Sequence, residues 1–287
     1  MLFGAHVSAA GGISTAIDRI EEIGGDCVQV FTQSPRMWRP TAHAPEELQR
    51  FRQRREEAGV RTVACHALYL VNLASRDEEL RAKSQVSLKA TMETARAIGA
   101  EAVVFHVGSH LGYGFDEAVE LVTPALRDLL ELTTDELWLC VENTAGAGGT
   151  IGRSVVELAA LCAALDGHPR LGVCIDSCHW WASGVDVTDA RALEAAVREV
   201  DAEMGLERLR LLHVNDAKTA LGSNRDRHEV VPHGVIGDGL ATFLGHPAFR
   251  SLPAVLETWP DDGLSAKDVD LLRDLYRRGR RRKRPAH

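Results

Sequence analysis

The sequence contains no long apolar run. Hydrophobic residues account for 45% of its 287 positions, yet no run of them approaches the roughly 20 residues that a membrane-spanning helix needs. The chain begins with the strand-like segment Leu2-Phe3-Gly4-Ala5 rather than with a basic segment followed by an apolar one, so no secretory signal is predicted. These absences predict a cytoplasmic protein that does not bind membranes.

Cysteine is scarce as well. The six cysteines include no CxxC pair, and they lie within or beside predicted strands or, for Cys162, in a predicted helix. Reduced thiols in such places behave as small hydrophobic residues. Neither a disulfide framework nor a thiolate zinc site is therefore predicted, although Cys174 and Cys178 flank Asp176.

No Gly/Ser/Pro-rich linker divides the chain. A single domain is predicted over residues 1–276, followed by a basic tail over residues 277–287 that we expect to be disordered. Seven Lys and Arg residues and no acid follow Asp274. The total net charge of −8 is therefore the sum of about −15 on the part before the tail and +7 on the tail. An acidic body of this kind does not bind DNA by net charge alone. The tail is either a solvated end or a tether to DNA.

What the sequence does contain is a series of short apolar runs that alternate with helical stretches. Such runs, recurring about every 35 to 40 residues, are the pattern of a (β/α)8 barrel. The eight runs that a closed barrel requires occupy residues 2–6, 27–31, 62–66, 102–106, 137–142, 171–176, 209–214 and 255–257. Among the predicted helices, one begins at Pro45 and one at a Ser75/Glu78 capping box, and two end at Gly59 and Gly99. The predicted fold class is α/β, as a single TIM barrel.

Residues that ligate metals well stand at the ends of these runs or just beyond them. They are His66, His106, Glu142, Asp176, His179, His213, Asp226, His228 and Glu257. All strands of such a barrel point their C-terminal ends at one mouth, so these residues are predicted to converge there. A single His at a strand end is more often a hydrogen-bonded core residue. Three carboxylates in one mouth, however, would repel and desolvate one another without cations, so two or three zinc or manganese ions are predicted.

One long loop, over residues 215–239, interrupts the series of short connections, and long loops on compact barrels are often functional. It contains Asp226-Arg227-His228. In an extended segment the two flanking residues lie on the same side, while Arg227 points away and is free to reach a phosphate.

Five strings resemble the signatures of the endonuclease IV family of zinc-dependent apurinic/apyrimidinic endonucleases. They are Gly4-Ala5-His6-Val7-Ser8, Val141-Glu142-Asn143-Thr144-Ala145-Gly146, the segment from Gly172 to His179, Asn215-Asp216-Ala217-Lys218, and the segment from Gly222 to His228. The resemblance extends to about Leu275. It implies a barrel that holds three zinc ions and cleaves the phosphodiester 5′ to an abasic site in duplex DNA, leaving a 3′-OH.

The resemblance also distributes the ligands among the three ions. It assigns His66 and His106 to one zinc, with Glu142 bridging to a second zinc that Asp176, His213 and Glu257 complete. The third zinc falls to His179, Asp226 and His228. Manganese is a possible occupant of one site. Paired metals activate a water and stabilise the leaving oxygen of a phosphodiester, so no Ser or Cys nucleophile is needed, and Glu142 is expected to be catalytic as well as a ligand.

The predicted DNA contacts lie in two loops and beside the third group of ligands. By the resemblance, Arg36-Met37-Trp38-Arg39 enters the minor groove at the lesion and Tyr69 fills the space left by the flipped nucleotide. Arg227 is predicted to contact a phosphate from its position in the extended segment. Trp38 has an alternative interpretation, as an aromatic residue that covers the barrel rim. Met37 replaces a residue that is often polar in the family, and Pro232-His233-Gly234 replaces Gly-x-Gly.

A metal-dependent sugar isomerase or epimerase is the main alternative, because xylose-isomerase-like barrels gather the same ligand types around one or two metals. A DNA-binding scaffold without activity would require missing ligands, and none is missing. We expect a monomer with no obligate protein partner, because duplex DNA must reach the mouth unobstructed.

Overall fold

The computed structural model describes residues 1–261 and 263–282. Eight parallel strands close into a barrel in the order β1-β10-β7-β6-β5-β4-β3-β2, which confirms the predicted (β/α)8 fold. The barrel strands are β1 (Leu2–His6), β2 (Cys27–Phe31), β3 (Thr62–His66), β4 (Ala102–Phe105), β5 (Trp138–Glu142), β6 (Leu171–Asp176), β7 (Leu209–His213) and β10 (Pro253–Leu256). A separate antiparallel pair, β8 (Asp216–Ala217) and β9 (His228–Glu229), lies in the long loop after β7.

Helices cover the outside of the barrel. They are α1 (Thr15–Glu22), α2 (Pro45–Ala58), α3 (Glu78–Ile98), α4 (Phe115–Leu130), α5 (Val155–Ala164), α6 (Ser177–Ser183), α7 (Ala190–Met204), α8 (Leu240–Leu244) and α9 (Ala266–Arg282). Gly59 and Gly99 end α2 and α3 in the left-handed conformation, as predicted. The capping-box prediction is wrong, because Asp77, not Ser75, accepts hydrogen bonds from the first backbone N–H groups of α3.

The strands bury both of their faces. Residues facing outward join the large core between the strands and the helices, while a smaller cluster fills the barrel itself: Cys27, Ala64, Ala102, Val104, Trp138, Cys140, Cys174, Leu211 and Val255. All six cysteines are buried and form no disulfide, as the sequence predicted, although Cys178 lies with Asp176 and His228 in one candidate metal-binding group. Among the described residues, no helix is long and apolar enough to cross a membrane.

The C-terminal helix corrects the predicted domain boundary. Residues 277–282 were expected to begin a disordered tail, but α9 continues through them to Arg282. Gly279 within this stretch is buried, so the helix packs on the barrel there. The rest of the predicted tail, residues 283–287, lies outside the described residues.

Candidate metal centre at the barrel mouth

Six of the nine predicted ligands follow from the period of two along a strand. Each lies two residues after a member of the small cluster inside the barrel, at the C-terminal end of its strand or just past it. The six are His66, His106, Glu142, Asp176, His213 and Glu257. Because alternate strand residues point to the same face, all six side chains project inward at one mouth.

Glu142 stands at the centre of this group. Its Oε2 lies 3.1 Å from Nε2 of His66 and 3.3 Å from Nε2 of His106. Its Oε1 lies 3.0 Å from Nδ1 of His213. The two oxygens thus face two different sets of partners, which is the arrangement expected of a carboxylate that bridges two ions.

The second set of partners is made of carboxylates and one imidazole. His213 Nδ1 lies 3.1 Å from Glu257 Oε2, and ligand atoms of Glu142, Asp176, His213 and Glu257 all lie within 4.8 Å of one another. This is the group that the resemblance to endonuclease IV assigned to the second ion, with Glu142 as its bridge.

The third group is partly exposed and adjoins the other ligands, because His179 Nδ1 lies 3.2 Å from Glu142 Oε1 and His228 Nε2 lies 3.9 Å from Asp176 Oδ2. His179 Nε2 lies 3.3 Å from Asp226 Oδ2 and 3.3 Å from His228 Nε2, and His228 Nε2 lies 3.2 Å from Asp226 Oδ1. Asp176 places His179, because its carboxylate caps α6 and accepts a hydrogen bond from the His179 backbone N–H.

Asp216 holds the loop that supplies the other two members of the third group. Its buried carboxylate accepts hydrogen bonds of 2.8 to 3.0 Å from the backbone N–H groups of Ala217, Gly234, Ile236 and Gly237. A carboxylate with this many backbone donors pins both ends of the loop together. Any side chain at Gly234 would meet this carboxylate at 2.4 Å.

Hydrogen bonds select one ring nitrogen of three histidines to face the centre. The Nδ1 of His66 lies 2.7 Å from the carbonyl oxygen of Ala67, and that of His179 lies 2.9 Å from the carbonyl oxygen of Asn143. A carbonyl only accepts, so both Nδ1 atoms carry the proton and both Nε2 atoms are left as ligands. In His213 the two nitrogens exchange roles. Its Nε2 lies 2.9 Å from Gln29 Oε1 and donates to that oxygen, so its Nδ1 is left as the ligand.

Sequence reasoning missed the side chains that orient the ligands. Gln29 donates to Glu257 Oε1 at 2.7 Å and lies 3.0 Å from His6 Nδ1, while Asn215 donates to Glu257 Oε2 at 3.0 Å and also to Asp176. The signal for Gln29 was available, because it lies two residues after the inward-facing Cys27 in an otherwise apolar strand.

The charges of the centre depend on one another. Burial opposes ionisation of Glu142, but His106 and His213 hold the pKa of its carboxyl well below the usual value. Burial is likewise outweighed at His213, where Glu257 and Glu142 raise the imidazole pKa to about 9. For Asp176 burial wins and raises the pKa. Without cations, the buried carboxylates are therefore balanced in part by protonated imidazoles, of which His213 is one.

The geometry fits zinc. Zinc bonds to His and carboxylate ligands are about 2.0 to 2.2 Å long, so ligand atoms around a tetrahedral ion lie about 3.3 Å apart. The ligand pairs around Glu142 and in the third group are separated by 3.0 to 3.3 Å. At the third group, the Nε2 atoms of His179 and His228 both face the Asp226 carboxylate, at 3.3 and 3.2 Å, so three ligand atoms converge on one point.

The residues predicted to contact DNA surround the mouth. A cavity of about 490 Å³ is lined by seven of the nine candidate ligands, without Asp176 and His213, and by Tyr69 and Leu70. Tyr69 is 59% exposed and packs against the rings of Phe31 and His66. Met37 is also exposed, whereas Trp38 packs partly against the core, as its alternative interpretation requires. Arg227 is exposed, as its predicted contact with a phosphate requires.

Comparisons with known proteins identify the family of this chain. The family model of xylose isomerase-like TIM barrels matches residues 17–275. A protein of Halorhodospira halophila named "Probable endonuclease 4" is 40% identical, over 94% of this chain and 92% of its own. The crystal structure of endonuclease IV from Thermus thermophilus aligns with a TM-score of 0.84 and 35% identity, over 98% of this chain and 100% of that one.

The same barrel occurs in proteins with other names. A D-tagatose 3-epimerase-like protein aligns with a TM-score of 0.74 over 98% of this chain and 99% of its own, but at 18% identity. That likeness shows the fold alone. The identity to the endonucleases is about twice as high and extends over nearly the full length of both chains. The chain belongs to the endonuclease IV family.

Proposed function

We propose that this chain is a DNA-repair endonuclease that hydrolyses the phosphodiester 5′ to an abasic site in duplex DNA and leaves a 3′-OH. The observation that carries the proposal is the convergence of nine candidate metal ligands at one mouth, with Glu142 within 3.3 Å of His66, His106 and His213. Membership of the endonuclease IV family supports the same activity. The sugar isomerase or epimerase is not favoured, because its likeness to this chain is limited to the fold.

Three zinc ions fit the three groups, with manganese as a possible occupant of one. Bound there, they would supply a nucleophile from water at neutral pH and offset the charge of the phosphate. His66 and His106 would hold the first ion with Glu142, and Asp176, His213 and Glu257 would hold the second with the same carboxylate. His179, Asp226 and His228 would hold the third.

The side chains of this chain position the substrate. A phosphodiester must reach the cavity of about 490 Å³, and an abasic nucleotide flips more readily than an intact one because its stacking and pairing are already lost. Tyr69, with its ring above His66, stands at the cavity edge to fill the gap in the duplex. Arg36, Met37 and Trp38 would approach the minor groove, and Arg227 would bind a phosphate through its planar guanidinium.

Glu142→Gln tests the shared carboxylate. An amide is neutral and bridges two cations poorly, so incision of a duplex with one abasic site should fall by more than about 100-fold, beyond what residues that only orient ligands cause. Glu229→Gln is the matched control, since Glu229 neighbours His228 but belongs to no ligand group. It should incise normally.

Elemental analysis and product analysis complete the test. We expect about three zinc ions per chain and a product that a DNA polymerase extends from its 3′-OH. Near wild-type incision by Glu142→Gln with full metal content would contradict the bridging role. One or two manganese ions and no incision would contradict the endonuclease.

A further inference from the structure

The last turns of α9 carry arginines that the proposed activity does not use. Arg277 pairs with Asp274 at 3.5 Å, and Arg278 pairs with Asp238 at 2.8 Å. Arg280 and Arg281 follow in the last turn of α9, where the negative end of the helix dipole favours cations.

Close packing fixes this part of α9 against the end of α8. A Cβ at Gly279 would lie 1.7 Å from the carbonyl oxygen of Ala241, and one at Gly245 would lie 2.5 Å from the backbone of Gly279. The two backbones can approach this closely only because both residues are glycine. The arginines are therefore displayed from an ordered helix.

A cavity of about 350 Å³ lies beside these arginines. It is lined by Gly245, His246, Pro247, Arg250, Tyr276, Arg280 and Arg281. None of the described lining residues is acidic, and over residues 1–261 and 263–282 no carboxylate forms an ion pair with Arg250, Arg280 or Arg281. Arg280 instead donates to the hydroxyl of Tyr276 at 3.0 Å, with its guanidinium over the ring.

This cavity lies at the end of the barrel away from the metal centre. Helices of a (β/α)8 barrel run back from the mouth, so the C-terminal end of α9 lies at the N-terminal ends of the strands. Arg250 shortly precedes β10. Burial, followed by Arg61 and then by Arg280 and Arg250, lowers the pKa of the Met1 amino group, which agrees with a position beside the start of β1.

We propose that this face is a second nucleic-acid site, where Arg250, Arg280 and Arg281 bind backbone phosphates of a duplex other than the one at the metal centre. Guanidinium groups bind phosphate oxygens through paired hydrogen bonds, and the lining offers no competing carboxylate. Duplex DNA is stiff over about 150 base pairs, so one short duplex cannot reach both ends of the barrel. The protein therefore bridges two DNA segments. The choice of DNA as the occupant rests on the proposed function.

Bridging is measured with two short duplexes that contain no abasic site. One is fixed to beads, and the other is fluorescent and is retained only if a protein molecule binds both. The test variant is Arg280→Gln/Arg281→Gln, and the matched control is Arg50→Gln/Arg52→Gln, which removes two equally exposed arginines from α2. Retention should fall several-fold for the test variant alone. The slope of the logarithm of DNA affinity at this site against the logarithm of salt concentration should become less negative by about 1.8, because two phosphate contacts are lost at about 0.9 each.

Equal retention by the test and control variants would overturn the proposal. The proposal would also be overturned if the cavity binds small anions only. In that case inorganic phosphate, compared with chloride at equal ionic strength, would raise the melting temperature of the wild type but not of the test variant, and retention of the fluorescent duplex would be the same in both. Incision of saturating abasic DNA should be the same in all three proteins. If the wild type bridges DNA but does not incise it, the proposed function fails while the second site stands.

Discussion

Replacing Gln29 with leucine should weaken both the fold and the metal centre. Gln29 is fully buried in β2, and its amide contacts Glu257, His6 and His213 at 2.7, 3.0 and 2.9 Å. Leucine has a similar size but makes none of these hydrogen bonds. The variant therefore removes polar contacts without opening a large cavity.

The magnitude follows from the groups left behind. A buried polar group without a partner costs about 1 to 3 kcal/mol. His213 Nε2 loses its partner outright, whereas Glu257 keeps the hydrogen bond from Asn215. We therefore expect the free energy of unfolding to fall by about 2 to 4 kcal/mol. Because Gln29 also selects the His213 nitrogen that faces the ion, zinc affinity should fall by about 10- to 100-fold.

Gln33→Leu is the matched control. Gln33 is also buried and donates to the Met37 carbonyl at 3.2 Å and to Ser87 Oγ at 3.4 Å, but it contacts no predicted ligand. Urea unfolding gives the stability of each variant, and competition with a chromogenic chelator gives its zinc affinity. Only Gln29→Leu should lose zinc affinity. Equal zinc affinity in the two variants would refute the orienting role of Gln29.

Three further outcomes are expected. Asp226→Ala should lose one zinc by elemental analysis while the other two persist, because Asp226 pairs with His179 and His228, which are assigned to the same ion. Loss of all the zinc would show that the groups depend on one another. Metal-free protein should lose stability as pH rises from about 6.5 to about 9. Folding raises the His213 pKa to about 9, so the stabilisation from its proton is complete below about 6.5 and is lost as the pH passes through this range. A free energy of urea unfolding that does not change with pH would contradict this. Gly279→Ala should lower the melting temperature, although alanine normally stabilises a helix by about 1 kcal/mol, because its Cβ would meet the Ala241 carbonyl; an unchanged or higher value would show that α9 shifts freely.

The barrel and the identity of the metal-ligating residues could be read from the sequence because both depend on local patterns. Eight apolar runs separated by helices leave few topologies other than a closed parallel barrel. The ends of parallel strands meet at one mouth, so residues as distant as His66 and Glu257 could be predicted to converge. The helix ends at Gly59 and Gly99 were equally local, since each needs a residue that tolerates the left-handed conformation.

Composition was misleading where packing decided the outcome. The stretch from Arg277 onward is strongly basic, and such a composition usually predicts disorder. The structure instead holds it in α9 as far as Arg282, because Gly279 allows a contact with α8 that the sequence of α9 alone does not reveal. The start of α3 shows the same limit on a smaller scale, since Ser75 and Asp77 are both good caps and only the path of the chain selects Asp77.

The sequence by itself determined which residue types reach the mouth, through the period of two along each strand and the repetition of strand and helix. Only the tertiary structure decided how those residues group, because the distances around Glu142 depend on the stagger between strands. It also decided that Gln29 and Asn215 orient the ligands and that the arginines of α9 face away from the metal centre. Such relations join residues up to 228 positions apart, and a pattern within one strand or helix carries no information about them.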